Sequence, residues 1–125
     1  MTTSYCIKKV DKNSDLAKKL LDFIKNFSWV EVKQHVFNMV QSWDFEDWEA
    51  PFVAMVNEQI VGMATIRKTD YYPLPEIYPW ISCIFVTEKF RGHRISELLI
   101  NAANIYAKEK GFAKTYIPTE FVGFV

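Results

Sequence analysis

Residues 83–99 read Cys-Ile-Phe-Val-Thr-Glu-Lys-Phe-Arg-Gly-His-Arg-Ile-Ser-Glu-Leu-Leu. The run opens as an apolar strand, crosses a short basic loop and enters a helix with no spacer. The first N–H groups of a helix lack intrahelical acceptors and carry partial positive charge, so phosphate binds there through backbone alone. Arg91, His93 and Arg94 add charge to that end. Gly92 allows a ligand to approach the backbone closely. An ordinary strand–helix turn with solvated arginines is the competing reading of the same residues.

The remaining candidates for chemistry are sparser. Asp44, Glu46, Asp47 and Glu49 alternate with Trp43, Phe45 and Trp48, a pattern able to hold a cationic amine through charge and cation–π contact. The same residues also suit a solvated loop whose aromatics plug the edge of a core, and that reading is preferred. His35 and His93 have no cysteine or carboxylate at ligand spacing, so no metal site is expected. Cys83 sits in an apolar strand, where a thiol is a core residue and not a nucleophile. Neither Ser82 nor Ser96 lies in a G-x-S-x-G elbow, which argues against a serine hydrolase. Glu76, just before the central strand, is the one candidate for a base acting through water.

These residues need elements to position them. Residues 4–10 read as a first strand. Asn13 or Ser14 caps a helix with Leu16, Leu20, Phe23, Ile24 and Phe27 on one face. Ser28 and Glu31 form a capping box for a second helix, lined by Val32, Val36, Met39, Val40 and Trp43. Residues 52–56 and 59–68, joined by Asn57-Glu58, predict an antiparallel hairpin. Residues 77–87 are almost continuously apolar, the mark of a strand covered on both faces. The third helix buries Ile95, Leu98, Leu99, Ala102 and Tyr106 and stops at Gly111. Residues 112–118 predict a last strand. The order β-α-α-β-β-β-α-β defines a mixed α/β (α+β) domain, and residues 77–118 should form a right-handed parallel crossover.

The chain has 125 residues, half of them hydrophobic and 16% aromatic, which suits one domain spanning 1–125 with a substantial core. Fifteen basic and fifteen acidic residues cancel, which excludes the basic footprint of a general nucleic-acid binder. The four glycines, Gly62, Gly92, Gly111 and Gly123, cannot build GxGxxG or GxxxxGK[ST]. Cys6 and Cys83 lie far apart in apolar stretches and read as buried thiols of a reducing compartment. With no signal peptide and no membrane-length apolar run, a cytoplasmic protein without membrane partners is expected.

Between the fourth strand and third helix, Val86-x4-Arg91-Gly92-His93-Arg94-Ile95-Ser96-x-Leu98-Leu99 resembles the acetyl-CoA motif R/Q-x-x-G-x-G/A of GCN5-related N-acetyltransferases. The predicted order of elements is similar to that family's over nearly the whole chain. The resemblance implies a mixed central sheet whose fourth strand bulges and splays from its neighbour. It assigns Ile84, Phe85 and Val86 to the pantetheine arm, and Arg91, Gly92, His93, Arg94, Ile95 and Ser96 to the pyrophosphate. Arg94 stands at the motif's first glycine and Ser96 at its Gly/Ala. Ser82 and Cys83 occupy strand positions where many members carry a carboxylate base.

Family chains continue through a fourth helix and two strands, usually via a tyrosine that protonates the leaving thiolate. Gly123-Phe124-Val125 falls where that tyrosine would stand, so the expectation is a chain lacking those elements. Implied is an acetyl-CoA-dependent N-acetyltransferase in which a small-molecule or peptide amine attacks the thioester directly. A non-catalytic acyl-CoA-binding module, or an inactive remnant of such an enzyme, is the second expectation, and a structural dimerisation domain the third. An uncovered sheet edge at residues 116–125 predicts a homodimer.

Overall fold

The computed structural model describes residues 5–26, 30–46, 48–68 and 78–117. Strand β1 (Cys6–Lys9) is followed by helices α1 (Asp15–Lys25) and α2 (Val30–Gln41), then strands β2 (Ala50–Val56), β3 (Gln59–Arg67) and β4 (Trp80–Val86), and helix α3 (Ile95–Glu109). The four strands form one antiparallel sheet in the order β1-β2-β3-β4. The hairpin falls where the sequence predicts it. Asn57 and Glu58 both take positive φ, 50° and 66°, the two-residue turn whose twist matches the flanking strands.

Alternation along the strands sorts the core onto two faces. On one, Leu20 and Ile24 of α1 and Val36, Met39 and Val40 of α2 pack against Val53, Met63 and Phe85. On the other, Ile95, Leu99, Ala103 and Ala107 of α3 cover Phe52, Ala54, Ala64, Ile66, Ile81 and Ile84. Strand β4 is thus apolar on both sides, as its continuous hydrophobicity implied. Ser14 caps α1, its hydroxyl accepting from Ala17 N at 3.1 Å.

Three expectations change. The buried stripe of α3 runs through Ile95, Ser96, Leu99, Ala103 and Ala107, whereas Leu98 is 39% exposed. The helix approaches the sheet closely at Gly62, where a Cβ would lie 3.3 Å from both Ile95 Cγ2 and Leu99 Cδ1. Small residues at 103 and 107 prolong that contact. Cys6 is exposed on edge strand β1, so it is no core thiol, and Cys83 is only half-buried. The last strand shrinks to one parallel bridge, Trp80 to Tyr116, with Ile81 N donating to Tyr116 O at 2.8 Å and Tyr116 N to Pro79 O at 3.0 Å. That bridge has the parallel sense expected for the crossover. Phe27, the capping box at Ser28 and the chain from 118 onward lie outside the described residues.

Lys9 on β1 ties the sheet edge to α3, with its ammonium 5.9 Å from the Tyr106 ring centroid. A hydrogen bond to Asp11 raises the Lys9 pKa, and burial raises that of Tyr106.

Candidate functional site: a strand, loop and helix corner

The site grows from an irregularity in β4. Met63 pairs with Phe85 and Thr65 with Ser82, so two residues of β3 span three of β4. One residue is extra, and Cys83 absorbs it at φ 52°. A bulge of this kind bends the strand and re-aims the side chains beyond it. Its effect shows in the faces: Ile81, Ile84 and Val86 turn toward α3, while Phe85 turns toward α1 and α2. Ser82 is held at the bulge by Thr65, whose Oγ1 lies 3.2 Å from Ser82 Oγ and donates to Ser82 O at 3.1 Å.

Beyond the bulge, β4 gains no second neighbour among the described residues apart from the Tyr116 bridge near its start. An extended ligand could pair with such an edge in the manner of an added strand.

The chain then makes a single 3-10 turn, Glu88–Phe90, and reaches α3 through two left-handed residues, Gly92 at φ 86° and Arg94 at φ 61°. Arg94 occupies the N-cap position of α3, and no side chain caps the helix. The first intrahelical bond there is Leu98 N to Arg94 O, 3.2 Å. The N–H groups of Ile95, Ser96 and Glu97 are left for a ligand or solvent, at the positive end of the helix dipole.

Arg91, Gly92, His93 and Arg94 are exposed, and Ile95 and Ser96 are buried at the helix start. All nine expected cofactor residues, 84–86 and 91–96, thus meet at one corner. Their environments differ. Arg91 Nε donates to Val86 O at 3.0 Å and its guanidinium lies 5.6 Å over the Phe85 ring, so it braces the loop against β4. Arg94 makes no ion pair among the described residues. Its backbone conformation also accounts for the glycine the motif asks for at this place, because φ 61° is cheap only without a Cβ.

The acidic loop is built differently. Asp44 Oδ2 meets Arg67 at 3.1 Å, and Glu49 accepts from Glu46 N at 2.9 Å and Lys68 N at 2.7 Å. Phe45 is buried against Trp43, and Trp48 meets Phe112 edge to face. The aromatics plug the core edge as expected, but Asp44 and Glu49 are engaged and not merely solvated, and Asp47 lies outside the described residues. Glu76 lies outside the described residues, and no group of His, Cys, Asp or Glu able to hold a metal occurs among those described. Nor is any described helix long and apolar enough to cross a membrane. Sequence reasoning missed Phe23, Asn26, Thr87 and Glu88, which line a cleft at the end of β4; nothing local to these residues signals that α1 ends there.

An antiparallel sheet with a bulged fourth strand, feeding an uncapped helix through a basic turn, defines an α/β domain with helices on both faces of the sheet. The model of the acetyltransferase (GNAT) family matches residues 16–121, and the chain belongs to that family. Its fold is similar to that of the aminoglycoside N-acetyltransferase AAC(6')-Iy in complex with CoA, with TM-score 0.72 and 20% identity over 95% of this chain and 79% of that one. An acetyltransferase from Streptococcus agalactiae 2603 gives TM-score 0.68 and 18% identity, covering 95% and 76%. The aminoglycoside acetyltransferase meta-AAC0020, from an uncultured soil metagenomic sample and solved with sisomicin, gives 0.58 and 24%, covering 92% and 77%. No curated protein matches.

Proposed function

We propose that the protein is an acetyl-CoA-dependent N-acetyltransferase that acetylates a primary amine. The observation that carries this reading is the α3 N-terminus, free of any side-chain cap and framed by Gly92 and Arg94, directly after a bulged strand whose outer edge has no partner past the Trp80 bridge among the described residues. Those parts suit acetyl-CoA. The backbone of Ile84, Phe85 and Val86 would pair with the pantetheine amides, and the N–H groups from Ile95 to Glu97, with Gly92, His93 and Arg94 around them, would hold the pyrophosphate.

Acetyl-CoA supplies an activated thioester: amine attack forms a C–N bond, breaks the C–S bond and leaves a thiolate that takes up a proton. The chain's residues position and polarise. An N–H of Phe85 or Val86 would donate to the carbonyl oxygen as negative charge develops there. The Ser82 hydroxyl is engaged with Thr65, so deprotonation of the amine falls to water, with Glu76 as the carboxylate that would relay it. Holding amine and thioester together supplies much of the acceleration. The absence of a carboxylate at Ser82 and Cys83 favours a second reading, an acyl-CoA-binding module without turnover. Residues 116–125 are proposed to pair with a second copy of the chain, which light scattering tests.

Thermal unfolding with acetyl-CoA tests the cofactor site. A ligand at about a hundredfold over its Kd stabilises the native state by about 2.7 kcal/mol, a rise of several degrees for a domain this size. Arg94→Glu should abolish most of that rise while leaving the unliganded transition in place. Absence of any shift at saturating acetyl-CoA would reject the reading. Thiol release with an amine then separates the enzyme from the binding module.

A further inference from the structure

Val86, the last residue of β4, turns its backbone polar groups to the outer edge of the sheet. Thr87 N donates across the sheet to Val61 O at 2.8 Å, and Phe85 pairs with Met63. Val86 stands between them, opposite Gly62. In an antiparallel ladder such an intervening pair is the non-hydrogen-bonded one, so its N–H and C=O face away from the partner strand. A ligand running along this edge would meet the Val86 carbonyl as an acceptor. That carbonyl is already engaged, because Arg91 Nε donates to it at 3.0 Å. The same guanidinium lies 5.6 Å over the Phe85 ring. Arg91 thus reaches back over the 3-10 turn at Glu88–Phe90 and closes the corner between strand and loop. It makes no ion pair among the described residues, and the residue as a whole is exposed.

We infer that Arg91 is a latch on the edge of β4, closing the Val86 carbonyl to a pantetheine amide until a diphosphate at the start of α3 draws the guanidinium away. The inference rests on the acetyl-transfer reading and adds to it an order of binding and a selectivity. Exchange of partners is the first reason. A guanidinium bonds a phosphate in fork geometry with full charge assistance, which outweighs one hydrogen bond to a neutral carbonyl. Position is the second. Gly92 and Arg94, the left-handed residues that frame the helix start, follow Arg91 at once, so latch and phosphate loop are one segment. A cofactor that carries phosphates therefore opens the edge it needs. A phosphate-free pantetheine thioester must displace the arginine unaided, and its apparent affinity falls by the fraction of time the edge stands open. Selection against such thioesters then comes from competition for one carbonyl as well as from missing phosphate contacts.

The test divides the cofactor into two pieces. Pantetheine and inorganic diphosphate are titrated calorimetrically, singly and together, into the intact chain and into Arg91→Met. Methionine keeps an apolar stem beside Phe85 and has no donor. In the wild type, saturating diphosphate should tighten pantetheine about tenfold, as for an edge open about a tenth of the time. By linkage, pantetheine should tighten diphosphate by the same factor. Arg91→Met should bind pantetheine about tenfold more tightly than the wild type does alone, with no further gain from diphosphate. A cation that serves only the phosphates gives a different pattern, with pantetheine unchanged by the substitution and the two pieces binding the wild type independently. Either of those results overturns the inference. Should Arg91→Met fail to fold by thermal unfolding, the coupling in the wild type decides alone. An acetyl-CoA shift without that coupling overturns the latch and leaves the acetyl-transfer reading standing. Absence of the shift, with neither piece bound, rejects both.

Discussion

In the loop at residues 44–49 the carboxylates of Asp44 and Glu49 are tied to the body of the domain, whereas in the loop at 88–94 most of the cations stand in solvent. Asp44 reaches Arg67, and Glu49 bridges two backbone N–H groups nineteen and three residues away. Beneath them Phe45 is buried under the Arg67 guanidinium, 5.8 Å from its ring. In the basic loop Arg91 is the one cation with a side-chain hydrogen bond among the described residues, and that bond is to the strand that precedes it. Arg94 and Gly92 hold left-handed backbone, and the helix behind them has no side-chain cap. Local strain and unmet donors in a charged, exposed segment suit the ligand site proposed there, while charge neutralised inside the fold suits a scaffold. Density of charge in the sequence does not separate the two.

The largest effect should fall on the scaffold loop. Phe45→Ala removes a buried ring and should cost about 3 kcal/mol of unfolding free energy, read by denaturant titration. The acetyl-CoA affinity of the folded fraction should stay within twofold of wild type. A large loss of affinity without loss of stability would erase the distinction between the loops. Glu49→Gln comes next. It weakens two charge-assisted bonds to backbone N–H groups, and about 1 to 2 kcal/mol should be lost.

The range of the interactions decides how far these regions were legible in the sequence. The hairpin around Asn57-Glu58 was visible because alternation and turn chemistry are local. The strand–loop–helix corner was visible because its three parts are contiguous in the chain, which is also why residues 84–86 and 91–96, proposed to hold the cofactor, flank one turn. The partners of Asp44 and Glu49 lie about twenty residues on, in and just after β3, and no spacing rule points to Arg67 or to Lys68 N. The face of α3 was misjudged because hydrophobicity favours Leu98, while close approach at Gly62 favours Ala103 and Ala107. Cleft residues Phe23 and Asn26 meet Glu88 only through tertiary packing, and α1 gives no local sign of it.

Arg94→Gly sharpens the contrast from the other side, because its effect has the opposite sign. The left-handed conformation at Arg94 costs an L-residue about 1 to 2 kcal/mol, offset in part by the greater freedom of glycine in the unfolded chain. A net stabilisation of about 0.5 to 1 kcal/mol is expected from chemical denaturation. If Arg94 faces the phosphates as proposed, affinity for acetyl-CoA should become less sensitive to salt, since that cation is lost. Unchanged salt sensitivity would show that Arg94 serves only the turn.

The smallest effect is expected at Asp44. Its side chain is 67% exposed, whereas that of Arg67 is 13% exposed, so the pair is half in water. Asp44→Asn removes the charge but leaves the hydrogen bond from Arg67 Nη2 to the Asp44 carbonyl, 3.2 Å, and the contact with Phe45. Exposed ion pairs contribute about 0.2 to 1 kcal/mol, and the loss should fall in that range and shrink further in high salt. The acetyl-CoA shift should not move. If Asp44→Asn instead cost more than about 3 kcal/mol, the value for stranding a buried charge, Arg67 would depend on that carboxylate alone. The acidic loop would then be held by one electrostatic contact and not by its aromatic packing.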